Sequence, residues 1–202
     1  MPLWLAPEPL ILASRSASRR LILEAAGIPV DIVPADIDER ALELKNPAGT
    51  ASEVALMLAR EKARVIAARF SGRFIVGADQ TLVLANRRFS KPVGREAARE
   101  QLRALGGRTH ELHSAVVVAR DGRAVFSHVD IARLTVRSLS DRFIENYLDA
   151  AGDTILASVG AYQLERLGVH LFERIEGDYF TVLGLPLMAL LAFFRRESCI
   201  AT

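Results

Sequence analysis

Apolar and polar positions alternate along the chain in blocks that outline most of its elements. Pro9-Leu-Ile-Leu-Ala13 is a short unbroken apolar run, the pattern of a buried strand, and the polar turn Ser14-Arg-Ser-Ala-Ser18 follows it. Arg19 to Ala26 places Leu21, Ile22 and Ala25 on one helical face, with Gly27 as a stop. Val30 to Val33 reads as a second strand running into the acidic stretch Asp36-Ile-Asp-Glu39. Thr50 or Ser52 caps a long helix reaching Phe70, whose stripe is Val54, Leu58, Ala59, Ala63 and Ile66. Phe74 to Ala78 and Thr81 to Leu84 read as two strands, and Asn86-Arg87 turns between extended segments. Arg95 to Leu105 is a helix stopped by Gly106-Gly107. Glu111–Ala119 and Ala124–Val136 flank Asp121-Gly122, a strong hairpin signal. Ser140 heads a helix carrying Phe143, Ile144 and Tyr147; Val169 to Ile175 is strand-like; Pro186 to Arg195 is a helix with proline in its first turn.

Strands alternate with helices early and a hairpin arrives in the middle, so the order predicts an α/β protein with a mixed sheet. No repeat or low-complexity linker interrupts it, and 202 residues suit a single domain over 1–202, or two small lobes within it. Half the residues are apolar, as in ordinary globular proteins. With 26 basic and 24 acidic residues the net charge is only +2, which argues against a nucleic-acid coat or a membrane surface. An anion site must therefore be local.

Cys199 is the only cysteine, which excludes an internal disulfide and a cysteine-rich zinc site. The first residues lack a basic leader and are broken by Pro2, Pro7 and Pro9, which disfavours a signal peptide. The apolar run Val182 to Phe194 is too short to span a bilayer. Together these predict a soluble, cytoplasmic protein. Among the 26 basic residues only Lys45, Lys62 and Lys91 are lysines. Where arginine serves most cationic roles, a retained lysine hints at a need for a compact ammonium, such as a point charge on phosphate.

Walker A, G-x-G-x-x-G, G-x-S-x-G and H-E-x-x-H motifs are all missing. His110 and His113 lie at i and i+3 in a predicted strand and point to opposite faces, so they do not form a shared metal site. Three constellations remain. Ser14-Arg-Ser-Ala-Ser-Arg19-Arg20 puts hydroxyls and guanidiniums at a helix N-terminus, where anions are favoured, although a plain capped helix explains it equally well. Val76-Gly-Ala-Asp79-Gln80 ends an apolar strand in small residues and a carboxylate able to bind a divalent metal or activate water; a simple turn between strands is the competing reading. Asp36 and Asp38 share a face if extended, and their oxygens suit Mg²⁺ or Mn²⁺, against the usual explanation of a solvated acidic loop.

Taken in order, these pieces resemble the Maf-like nucleotide pyrophosphatase family. The resemblance runs through Leu10-Ile-Leu-Ala-Ser14, Arg19-Arg20, Asp36-x-Asp-Glu39, Glu61-Lys62-Ala63 and Gly77-Ala-Asp79. It continues through Lys91-Pro92, Gly107-Arg-Thr-His110, Gly160-Ala-Tyr162, Glu176-Gly-Asp178 and Val182-Leu-Gly-Leu-Pro-Leu187, and so covers nearly the whole chain beyond the first eight residues. It implies an elongated α/β fold like that of inosine triphosphatase, a mixed sheet with flanking helices, and a deep nucleotide-binding cleft between two lobes. It also implies hydrolysis between the α- and β-phosphates of a nucleoside triphosphate. Ser14, Arg19, Lys62 and Lys91 would hold the triphosphate. Asp79 would accept the proton of the attacking water and, with Glu39, hold a divalent metal, Mg²⁺ or Mn²⁺. A small-molecule substrate and a homodimer are the implied partners. Two departures concern loop geometry: Ser16-Ala17-Ser18 replaces a proline-containing turn, and Ser90-Lys91-Pro92 replaces Gly-Lys-Pro.

The resemblance also implies that base preference follows three positions, here Ser18, Gln80 and Glu165. Relatives acting on dTTP and UTP carry arginine, threonine and glutamine there; Gln80 and Glu165 match the 7-methyl-GTP branch, whereas Ser18 stands where that branch often has tryptophan. A carboxylate at Glu165 can accept hydrogen bonds from the N1–H and 2-amino group of a guanine edge. The alternatives are a dTTP/UTP pyrophosphatase, a clean-up enzyme for modified nucleotides, and a non-catalytic regulator of septum formation.

Overall fold

Leu10–Leu12 is buried on both faces, and this three-residue strand (β1) is the axis of the first half of the molecule. In the computed structural model, which describes residues 3–44 and 46–201, β1 runs parallel to β2 (Val30–Ile32) on one side. On its other side it runs parallel to the start of β3 (Ile75–Leu84). Among the described residues the sheet has seven strands in the order β2-β1-β3-β5-β6-β7, with β4 (Arg87–Phe89) antiparallel to β3. β5 (Thr109–Arg120) and β6 (Arg123–Val136) form the expected hairpin: Asp121 and Gly122 both adopt positive φ, as a two-residue turn of this type requires. β7 (Phe172–Glu176) pairs antiparallel with β6. The fold is thus α/β with a mixed, open sheet flanked by helices.

The chain divides into two compact units, Met1–Gln80 with Ser114–Asp130 and Gly184–Thr202, and Thr81–His113 with Ile131–Leu183. In the first, α1 (Ala17–Ala25) is capped by Ser16, and α3 (Ala51–Ala67) by Thr50, which forms a reciprocal capping box with Glu53. Its core joins Ile11, Ala13 and Ile75 to Ala55, Ala59, Ala63 and Ile66 of α3 and to Ala115 and Val117 of β5. The alanines let α3 lie almost on the strand. A Cβ on Gly77 would stand 2.1 Å from the Ala59 carbonyl oxygen and 2.7 Å from the Ala63 nitrogen. Only glycine fits there. A second layer of Trp4, Phe74 and Phe194 packs edge-to-face beside α7 (Leu187–Arg196).

The second unit is built on Leu82, Leu102, Leu105, Leu112, Leu134, Ile144 and Leu148, which join β3–β6 to α4 (Gly94–Leu105) and α5 (Asp141–Ala151). Arg95 and Arg99 of α4 reach Glu145 of α5, and Arg103 reaches Asp141. Hydrogen bonds from Arg99 and Arg95 hold the Glu145 carboxyl down to about 2.

Two expectations are corrected, and one left open, the course of the acidic stretch, is resolved. The two strands Phe74–Ala78 and Thr81–Leu84 are one, so Asp79 lies in mid-strand rather than in a turn; partners on both faces of the strand replace the solvent that Asp79 and Gln80 would otherwise need. The acidic stretch is not extended to its end: Asp38 Oδ1 accepts the Ala41 N–H, and Glu39 opens a short helix, α2 (Glu39–Leu44). The segment from Val169 is a 3₁₀ turn, Leu167–Leu171, before it becomes β7. A further short helix, α6 (Tyr179–Val182), is capped by Asp178. Lys45 lies outside the described residues. Among the described residues no helix is long and apolar enough to cross a membrane.

Candidate active site

Three segments of the first unit converge on one buried carboxylate. The close approach at Gly77 fixes α3 against β3, and two residues further along the strand Asp79 meets Lys62 of that helix. Lys62 Nζ donates to Asp79 Oδ1 at 2.6 Å, and both side chains are about nine-tenths buried. The same ammonium lies 2.7 Å from Oε1 of Glu39, which reaches in from the exposed start of α2. One compact cation therefore bridges two carboxylates, a geometry that suits an ammonium better than a planar fork.

Arg19 closes the other side. Its Nη1 donates to the Ala78 carbonyl at 2.8 Å and to Ser14 Oγ at 3.1 Å, and its Nε donates to the Gly184 carbonyl at 2.8 Å. Gly184, at φ +90°, brings its backbone against the guanidinium: a Cβ there would stand 3.3 Å from Nη2. Nη2 has no hydrogen bond among the described residues. Burial lowers the Arg19 pKa, and the charges of Asp79 and Glu39 oppose that shift. Burial pushes the Asp79 carboxyl above the ordinary carboxylate range, while the Lys62 and Arg19 cations pull it back. Asp79 Oδ2 has no hydrogen-bond partner among the described residues, so one oxygen is tethered and the other is available. A positioned carboxylate of raised basicity is what proton abstraction from water requires.

Ser14, Arg19, Glu39, Lys62, Asp79 and Gln80 thus belong to one neighbourhood. Gln80, alternating away from Asp79, donates from Nε2 to Ser114 Oγ at 2.8 Å. Ser18 lies half-buried in the first turn of α1. Lys91 and Glu165 belong to the second unit. Both are exposed, Lys91 between Ser90 and the buried Pro92, and Glu165 three residues after Tyr162. Asp36 is exposed, and Asp38 is engaged as a helix cap. His110 and His113 do not meet: His110 Nε2 shares a 2.6 Å hydrogen bond with Tyr162 Oη, while His113 Nε2 lies 3.0 Å from Glu111. The motif reading lacked Gly184 as Arg19's acceptor, although the block Val182–Leu187 pointed to that segment.

Among the described residues no group of three or more His, Cys, Asp or Glu is placed to hold a metal. Asp79 and Glu39 are hard oxygen donors brought together on the Lys62 ammonium, each with a second carboxylate oxygen beyond that contact. They fit Mg²⁺ or Mn²⁺, ions that commonly take one or two carboxylates and complete their shell with water and substrate phosphate.

Comparison with known proteins shows the family. A family model described as Maf-like protein matches residues 9–197. The chain belongs to the Maf-like family. It is 56% identical over 197 residues to a nucleoside triphosphate pyrophosphatase of Nitrobacter winogradskyi, covering 98% of each chain. To the protein of that name in Nitrobacter hamburgensis it is 54% identical over 201 residues, covering both chains fully. It is 50% identical over 193 residues to a 7-methyl-GTP pyrophosphatase of Brucella abortus, covering 95% of this chain and 97% of the other.

Proposed function

We propose that this chain is a nucleoside triphosphate pyrophosphatase that releases nucleoside monophosphate and pyrophosphate and favours 7-methyl-GTP. The observation that carries the reading is the buried Lys62–Asp79 contact at 2.6 Å, backed by Arg19, in a chain whose close relatives bear these activities as names. Asp79 Oδ2 takes the proton of a water that attacks the α-phosphorus. The bond to the bridging oxygen breaks, and pyrophosphate leaves with the electron pair. Ser14, the free edge of Arg19, Lys62 and Lys91 supply hydroxyl and cationic contacts to the phosphates. Such chemistry depends on positioning and charge neutralisation more than on a covalent intermediate. Asp79 and Glu39 would hold Mg²⁺ or Mn²⁺, which supplies Lewis-acid stabilisation of the leaving pyrophosphate.

Glu165 supports the guanine reading because a carboxylate accepts from the donors of a guanine edge and repels pyrimidine carbonyls. Ser18 offers no aromatic face to a cationic purine, so selectivity for the methylated base is weaker than a stacking residue would give. The test is pyrophosphate release with 7-methyl-GTP, GTP, dTTP and UTP, compared as kcat/KM with and without chelator. The expected order puts 7-methyl-GTP above dTTP and UTP, with activity lost on chelation. A preference for dTTP or UTP removes the base assignment alone. Nucleotide binding without turnover removes the enzyme and favours a regulator.

A further inference from the structure

Gln101 stands on α4 of the second unit, outside every motif, and both ends of its amide are used. Nε2 donates to the Ser90 carbonyl at 2.8 Å, and Oε1 accepts the Gly160 N–H at 3.1 Å. The first bond holds the residue immediately before Lys91, while buried Pro92 holds the residue after it. The second bond holds Gly160-Ala161-Tyr162, the turn leading to Glu165.

That turn needs holding. Gly160 and Ala161 both have positive φ, +78° and +59°, and for alanine this conformation is unfavourable by about 1 kcal/mol or more. A Cβ on Gly160 would stand 2.7 Å from Leu82 Cδ1 and from Tyr162 Cε1. Two further side chains tie the same turn: Tyr147 Oη donates to the Ala161 carbonyl at 3.2 Å, and His110 Nε2 and Tyr162 Oη share their 2.6 Å bond. These two fix one turn only. Gln101 reaches from that turn to the loop carrying Lys91. Its amide is also polar in a fixed sense, since reversing it would set Oε1 against a carbonyl and Nε2 against an N–H.

We infer that Gln101 is a positioning residue for the reaction: its two hydrogen bonds couple the Lys91 loop to the turn before Glu165, linking the phosphate-holding and base-reading side chains. The inference rests on the roles proposed above for Lys91 and Glu165, and it deepens them.

The experiment compares Gln101→Leu and Gln101→Glu with Lys91→Ala and Glu165→Gln. Activity is measured on 7-methyl-GTP and dTTP, with thermal unfolding and hydrogen exchange of the 160–162 amides. Gln101→Leu loses both bonds, so kcat/KM for 7-methyl-GTP should fall about tenfold or more, and the 160–162 amides should exchange faster. Gln101→Glu keeps an acceptor for Gly160 N–H and loses the donor to Ser90. It should raise KM for both substrates while keeping their ratio and the exchange protection. Wild-type kinetics in both Gln101 variants, with Lys91→Ala and Glu165→Gln impaired, overturns the coupling alone. So does a lowered Tm with unchanged kcat/KM and substrate ratio per folded molecule, which marks a purely structural glutamine. If Lys91→Ala and Glu165→Gln are themselves as active as wild type, the nucleotide roles fail first and the coupling fails with them.

Discussion

The two units hold their chemistry in opposite ways. Around Asp79, charges neutralise one another directly, with the buried Lys62–Asp79 pair joined by the half-exposed Glu39 and backed by Arg19, and the spacing of the pair is set by backbone contact at Gly77. Around Lys91 and Glu165 the charged groups are exposed, and neutral side chains act on the backbone beside them: Gln101, Tyr147, and His110 through Tyr162. A buried ionic cluster loses heavily when one member is removed, because the partner charge is left unpaired. Neutral tethers fail by degrees, at about 1 kcal/mol per bond.

The sharpest break of this contrast is Asp79→Asn. It keeps the shape and loses charge and basicity, so turnover should fall by roughly a thousandfold or more, about 4 kcal/mol, with the fold retained. Pyrophosphate release from the folded variant near the wild-type rate would remove Asp79 from the reaction. Next comes Gly77→Ala, whose methyl group meets backbone on α3 that cannot swing aside. A loss of about 3 kcal/mol or more in urea unfolding is expected, at the upper end of overpacking costs; an unchanged midpoint would mean that α3 tolerates displacement.

The neutral side of the contrast is tested by pH. Burial brings the His110 pKa down to about 4 from 6.5, beside Tyr162, whose own pKa is raised by burial. A depressed imidazole means the unfolded chain binds the extra proton first as pH falls. The stability contribution is therefore complete above 6.5 and lost as pH drops through about 4, amounting to about 3 kcal/mol at 1.36 kcal/mol per unit. Unfolding free energies from pH 7 to 4 should show this loss in the wild type and much less of it in His110→Gln; equal slopes would mean another group carries it. The smallest effect is the most discriminating. Lys62→Arg should cost about a hundredfold in kcat/KM, because a planar fork cannot bridge the buried Asp79 and the half-exposed Glu39 at ammonium distance, whereas Lys91→Arg on the exposed loop should cost within tenfold. Equal losses would erase the distinction between the two regions.

Elements with strong local signals were legible from residues alone. The caps Thr50 and Ser140, the Asp121-Gly122 turn and the apolar run at Leu10 all act where they were expected. Asp79 was misplaced because Gly-Ala-Asp-Gln has the composition of a turn and poor strand propensity. What keeps it in the strand is Lys62, seventeen positions earlier in the chain, which no local window contains. The 3₁₀ turn Val159–Ala161 was invisible for the same reason: its anchors, Gln101, Tyr147 and His110, lie on other elements. Within the first unit, Ser14, Arg19, Glu39, Lys62 and Asp79, which the Maf-like resemblance drew together, are neighbours in the structure. It could not show that most of Arg19's donors are already engaged by Ser14, Ala78 and Gly184.

The seam at Gly77 also governs how the molecule comes apart. Backbone lying directly on backbone, beneath a fully buried alanine face, exchanges its amide hydrogens only when the surrounding unit opens as a whole. Catalytic groups are more often drawn from segments that open easily, yet here the pair proposed for hydrolysis stands on ground expected to exchange slowly, whereas the loops at Lys91 and Glu165 are exposed and should open first. On gradual heating, phosphate holding and base reading at those loops should therefore be lost first, while the Lys62–Asp79 pair is still in place. The protein would turn inactive before it unfolds.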